Sequence, residues 1–80
     1  MSAEHVDRRL DGIIRTVANA REGERNCVTY WGACRLREMV AEAALSQTEA
    51  TEIIVEAARR CGLSAQEALG RVHSAFRTRT

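Results

Sequence analysis

The side chains with chemical reach are few: Cys27, Cys34 and Cys61, the histidines His5 and His73, the single Trp31 and Tyr30, and twelve basic residues that are all Arg. Three Cys and His73 could supply four metal ligands, but no two Cys have the close spacing that structural zinc sites use. Cys27 and Cys34 fall seven residues apart, on one helix face where small apolar residues are wanted. The spacing therefore predicts three buried thiols, with no metal and no cofactor. A phosphate-binding loop of the Gly-rich type needs a Lys, and the chain has none. Both His are isolated: His5 lies near the start, and His73 belongs on a helix surface. No nucleophile, base and orienting acid emerge from the spacing, so no catalytic residue is assigned and an enzyme is not expected.

The remaining chemistry lies in residues 23–36. Arg25 and Asn26 stand where a helix should begin, and helix N-termini bind phosphate readily. Asn26 is the expected N-cap of that helix. Arg21, Arg35 and Arg37 lie near it in sequence, and Arg71 and Arg77 follow further on. Together Arg21, Arg25, Asn26, Arg35, Arg37, Arg71 and Arg77 form the candidate nucleic-acid-binding set. Trp31 has two readings. It could stack on a base, but burial of its large apolar surface favours a core anchor. The exclusive use of Arg fits a GC-rich coding bias, and it also fits bidentate phosphate or carboxylate contacts, which Arg makes and Lys does not.

The elements that must position these residues are helical. The chain has 80 residues, 45% of them hydrophobic and 29% charged, with no Pro. Such a length gives one domain with a thin core. Val6, Leu10, Ile13, Ile14 and Val17 recur at helical steps and predict a first helix over about residues 3–20. Gly12 within it marks a place for close approach to a neighbour, and Gly23 is available for a left-handed cap. A second helix is expected over residues 27–45, with Ala33, Leu36, Val40 and Ala44 as its stripe. Tyr30, Cys34 and Ala41 lie beside that stripe.

Ser46 with Glu49, and Ser64 with Glu67, read as capping boxes. They open a third helix (47–61) and a fourth (65–77). Ala50, Ile53, Ile54, Ala57, Ala58 and Cys61 should face inward on the third helix, and Ala68, Leu69, Val72, Ala75 and Phe76 on the fourth. Gly62 should stop the third helix, with Leu63 packing back, and residues 78–80 should fray. The expectation is all-α: a compact four-helix bundle in one domain over residues 1–80. Its last two helices are joined by a turn of helix-turn-helix length, a length that ordinary helical hairpins share.

Charge is uneven although the formal net charge is only +1. Residues 38–56 hold five acids and no base, and residues 59–79 hold five Arg and one acid, Glu67. A bundle that joins the fourth helix to the start of the second would set a basic face against an acidic third-helix face. The small net charge argues against a strong independent DNA binder. No apolar run reaches the ~20 residues that span a bilayer, and the first residues lack the apolar core of a signal peptide. A cytoplasmic location with free thiols and no membrane partner is expected.

The pattern Gly23-x-Arg25-Asn26, then Trp31-x-Ala33-Cys34-Arg35-Leu36-x-Glu38-Met39-Val40, resembles a known segment. With Ala57-Ala58, Gly62-Leu63, Glu67-Ala68 and Ser74-Ala75-Phe76, it is similar to the helical region C-terminal to the catalytic parts of bifunctional DNA primase/polymerase and primase-helicase proteins. These occur in actinobacteria, their phages and plasmids, and the resemblance spans about residues 17–77. It implies a replication-associated, non-catalytic helical module that contacts template or single-stranded DNA or neighbouring replisome domains, with Arg25 and Asn26 the first positions to carry over. The primase carboxylates and the helicase nucleotide loop are missing, so the chain is either an excised domain or a small free-standing relative from a phage or prophage. The alternative is a protein-interaction module that docks on a host protein or self-associates, motivated by the acidic third helix.

Overall fold

A computed structural model describes residues 3–77, with side chains from Val6 onward. Four α-helices follow one another: α1 (Ala3–Ala18), α2 (Arg25–Ala41), α3 (Gln47–Arg60) and α4 (Ala65–Arg77). Among the described residues there is no strand. The side chain of His5 and residues 78–80, expected to fray, lie outside the described residues.

The second half of the chain begins where two serines place it. The Glu49 N–H donates to the Ser46 hydroxyl (3.1 Å), and the Ser46 N–H donates to the Glu49 carboxylate (2.8 Å). The bond from the Ser46 N–H first, and then the Ser46 hydroxyl beside the carboxylate, hold the Glu49 carboxyl below its ordinary pKa. Ser64 and Glu67 repeat the reciprocal arrangement at α4. Each box satisfies donors that a helix start would otherwise leave unpaired. Between the boxes, Gly62 takes φ +106°. The Gly62 N–H donates to the Arg59 carbonyl, and the Leu63 N–H to the Ala58 carbonyl. Leu63 then folds back into the core, completing the Schellman stop that Gly62 and Leu63 predict.

The helices alternate in direction. Arg9 of α1 reaches Glu42, just past the end of α2, at 2.7 Å, while Val17 lies against Gly32. Gly32 also meets Ile54, and Arg25 meets Gly62, so α3 runs antiparallel to α2. Helix α2 packs against all three others, α3 likewise, and α1 and α4 do not pack on each other. The core is Val17, Leu36, Met39, Ile54 and Val72, set among Ala33, Ala50, Ala57, Ala58, Ala68 and Ala75. Those alanines let the helices approach closely, and the radius of gyration is 11.6 Å.

Several expectations are corrected. Helix α1 ends at Ala18, not Ala20; Asn19 folds back, its side-chain amide donating to the Arg15 carbonyl at 2.9 Å. Gly23 does not cap α1. With φ +94° it is the third residue of a turn closed by the Glu24 N–H on the Arg21 carbonyl, a position that demands positive φ. Helix α2 starts at Arg25, two residues early, and ends at Ala41, four residues early.

That early stop is a Schellman motif without glycine. Ala43 adopts φ +61°, and the N–H groups of Ala43 and Ala44 donate to the Val40 and Met39 carbonyls. Ala44 therefore leaves the α2 stripe. The buried face of α2 is Thr29, Gly32, Ala33, Leu36 and Met39, so Val40 is only half-buried and Ala41 is exposed. Helix α3 ends at Arg60, with Cys61 as its C-cap. Ile53 and Phe76 are half-buried and Leu69 is exposed. Gly12 is open to solvent and nothing would meet a Cβ there; the close approach is at Gly32 instead.

A Cβ on Gly32 would stand 2.6 Å from Val17 Cγ2 and 2.8 Å from Ile54 Cδ1. Ile54 can swing its chain end away, but Val17 is β-branched and stiff within a helix. Gly32→Ala gains about 1 kcal/mol of helix propensity against about 1–3 kcal/mol of overpacking. The expected outcome is a lower Tm, by roughly 5 °C. In a Val17→Ala background the same change should cost nothing, which thermal unfolding of the four-protein cycle would check. Ala43→Gly should act in the opposite sense. It relieves the left-handed strain of an alanine and raises stability by about 0.5–1 kcal/mol, read as a higher urea midpoint with unchanged slope.

Candidate nucleic-acid interface

Burying Gly32 decides where Trp31 goes. Neighbours on a helix are set about 100° apart, so with Gly32 and Leu36 turned inward the indole is carried to the flank of α2 that borders α1. Trp31 is 41% exposed. The expectation of a core anchor is therefore corrected: where three helices meet at Gly32 there is no room for an indole. Trp31 instead lies in a shallow, open groove between α1 and α2, lined also by Arg8, Arg9, Gly12, Thr16, Arg35 and Glu38. Gly12 keeps the α1 wall of this groove low.

Three guanidinium groups surround the indole, and they differ in availability. Arg35 pairs with Glu38 at 3.1 Å, one turn along α2, with its side chain about half exposed. Arg9 is held by Glu42 at 2.7 Å. Arg8 is exposed and has no ion pair among the described residues. An exposed ring offers a π-face to a flat ligand, and guanidinium groups beside it offer forked donors to phosphate. Chemically the groove can hold an anionic chain with a planar group every few ångströms.

The other expected contact residues do not converge here. Arg35 and Arg37 are roughly 160° apart around α2 at ~100° per residue, so they serve opposite flanks of that helix. Arg37 and Arg71 are half-buried. Arg21 is exposed in the α1–α2 turn, and Arg77 is exposed at the far end of α4 beside Gln47, His73 and Phe76. Asn26 is exposed in the first turn of α2, but it is not the cap. Glu24 occupies that position, with helix-like φ −111° and ψ −12°, and makes no side-chain capping bond.

Arg25 has a structural place. Its guanidinium lies over Gly62, where an added Cβ would stand 3.3 Å from the guanidinium carbon. It thus covers the C-terminal end of α3, where a cation is favoured by the helix dipole. Its Nε and the hydroxyl of fully buried Thr29, one turn along, are buried without a hydrogen-bond partner. Arg25 therefore faces the α3–α4 turn and not an outward rim.

The thiols also depart from the expected burial: Cys27 is exposed, Cys34 half-buried and Cys61 buried, its Sγ against the Ala58 carbonyl at 3.2 Å. Among the described residues no three His, Cys, Asp or Glu side chains come together to hold a metal ion, and no helix is long and apolar enough to cross a membrane.

Nothing local in the sequence joins Arg8 to Trp31. The available signal was the spacing of Arg8, Gly12 and Thr16, which gives α1 a second, polar flank beside its apolar stripe. No protein-family model, no curated protein and no solved structure matches this chain.

Proposed function

We propose that the chain is a non-catalytic nucleic-acid-binding module of replication type, which holds single-stranded DNA in the α1/α2 groove. The observation that carries this reading is an exposed tryptophan in an arginine-lined groove. Trp31 stacks on a base, Arg8 and Arg35 hold flanking phosphates, and Arg9 joins them once a phosphate competes with Glu42. A stacked, splayed base is available in a single strand and not in a duplex interior, so single strands are preferred. The association with replication rests on the resemblance to primase/polymerase and primase-helicase helical regions, and a cytoplasmic setting rests on the three free thiols.

Binding of a short labelled oligothymidylate, followed by anisotropy and by quenching of Trp31 fluorescence, tests the reading. Three phosphates neutralised give a salt slope near −2, so affinity should fall roughly 20-fold between 50 and 200 mM salt. Trp31→Ala should weaken binding by about tenfold or more, since stacking on an aromatic is worth ~1–3 kcal/mol per base. More than half of Trp31 is nevertheless covered, so that variant should unfold at a lower temperature than the parent, and binding is compared where both proteins are folded. No binding at low salt, or equal binding of the Trp31→Ala protein, would overturn the proposal.

A further inference from the structure

The opposite flank of α1 has the reverse character. Between α1 and α3 runs a groove with Ile14, Ile53 and Ala57 on its floor and Glu52, Glu56 and Arg60 along its rim. Ile14 and Ile53 are only half-buried although both belong to apolar stripes. Helix α4 packs on α2 and α3 and does not reach α1, so among the described residues no helix covers this seam.

The rim is acidic for most of its length. Asp7 and Asp11 lie on the same side of α1 as Ile14, at helical spacings of seven and three, and Glu49 stands one turn before Ile53. Against these five carboxylates stand Arg15, Arg59 and Arg60. Arg15 is paired with Asp11 at 2.8 Å, and Glu56 has only long contacts to Arg59 (3.7 Å) and Arg60 (3.8 Å). Glu52 has no ion pair among the described residues.

We propose that this groove docks a basic amphipathic helix of a partner protein. Its walls are two helices and not a sheet edge, so an added helix is the element that can bury Ile14 and Ile53. Arg or Lys flanking that helix's apolar stripe would meet Asp7, Glu49, Glu52 and Glu56, and the same carboxylates repel a nucleic-acid strand. A second copy of this chain is a poorer occupant. Its α4 carries one exposed large apolar side chain, Leu69, where docking needs a stripe repeating over two turns or more. The inference stands apart from the nucleic-acid reading, since α1 separates the two grooves.

Two synthetic helical peptides with the same leucine stripe, one flanked by Arg and the other by Glu, would test it against isotope-labelled protein. The basic peptide should bind saturably, with NMR shift changes centred on Ile14 and Ile53, and about tenfold or more tighter than the acidic one. Charge reversal at two exposed positions, Glu52→Arg with Glu56→Arg, should invert that preference in a protein that still folds. The Trp31→Ala protein should bind the basic peptide as the parent does. Equal binding of both peptides would overturn the proposal, as would shifts centred on Trp31, no binding, or concentration-dependent self-association that protects Ile14 and Ile53.

Discussion

The approach of three helices at Gly32 is the constraint on which the bundle depends. Val17 and Ile13 from α1 and Ile54 from α3 all meet α2 at that residue, Val17 and Ile54 closer than a Cβ there would allow without a shift. A core built largely from alanines gains little area per residue, so stability has to come from helices lying close together. Gly32 costs α2 helix propensity and returns two interhelical contacts at one point. It also fixes the rotation of α2. With Gly32 inward, Ala33, Leu36 and Met39 follow it into the core, and Trp31 must face out. The chemistry of the α1/α2 groove is thus a consequence of packing on the other side of the same helix.

How much of this was legible depends on whether a signal is local. The two capping boxes and the Gly62 stop involve residues three to five apart, and α3 and α4 begin where Ser46 and Ser64 place them. Helix α2 was harder to bound because both its ends use unusual residues. Glu24 occupies the N-cap without a capping bond, and Ala43 takes the left-handed conformation usually given to glycine. Nothing in a sequence marks an alanine as left-handed. The orientation of Trp31 was hidden for a different reason. Hydrophobicity ranks tryptophan inside and glycine outside, whereas a three-helix junction ranks by volume, and volume decided.

Arg25 has a structural place that its sequence neighbourhood does not announce. Beside a helix start it reads as a phosphate ligand, since both the charge and the free N–H groups favour an anion. The bundle instead folds the side chain over Gly62, so that one cation covers the end of α3 and ties α2 to the α3–α4 turn. Gly62 serves twice there: its positive φ makes the turn, and its missing Cβ leaves the guanidinium room to lie close. The pairing of Arg25 with Gly62 is non-local, and it could not be read from either segment alone.

The formal net charge of +1 conceals a separation across α1. Arg8, Arg9 and Arg35 line the groove on the α2 side, Glu52 and Glu56 rim the groove on the α3 side, and helical spacing puts Asp7 and Asp11 on the same face of α1 as Ile14. The separation also limits strength. Glu38 and Glu42 sit among the arginines of the Trp31 groove and already hold Arg35 and Arg9. A phosphate has to displace a carboxylate at two of the three sites, and each exchange swaps one charge-assisted bond for another with little net gain. A single groove of this kind would bind a phosphate chain weakly. If an acidic groove on the other flank of α1 holds a partner's helix at the same time, the two weak contacts become one linked event, and effective concentration supplies what neither groove has alone.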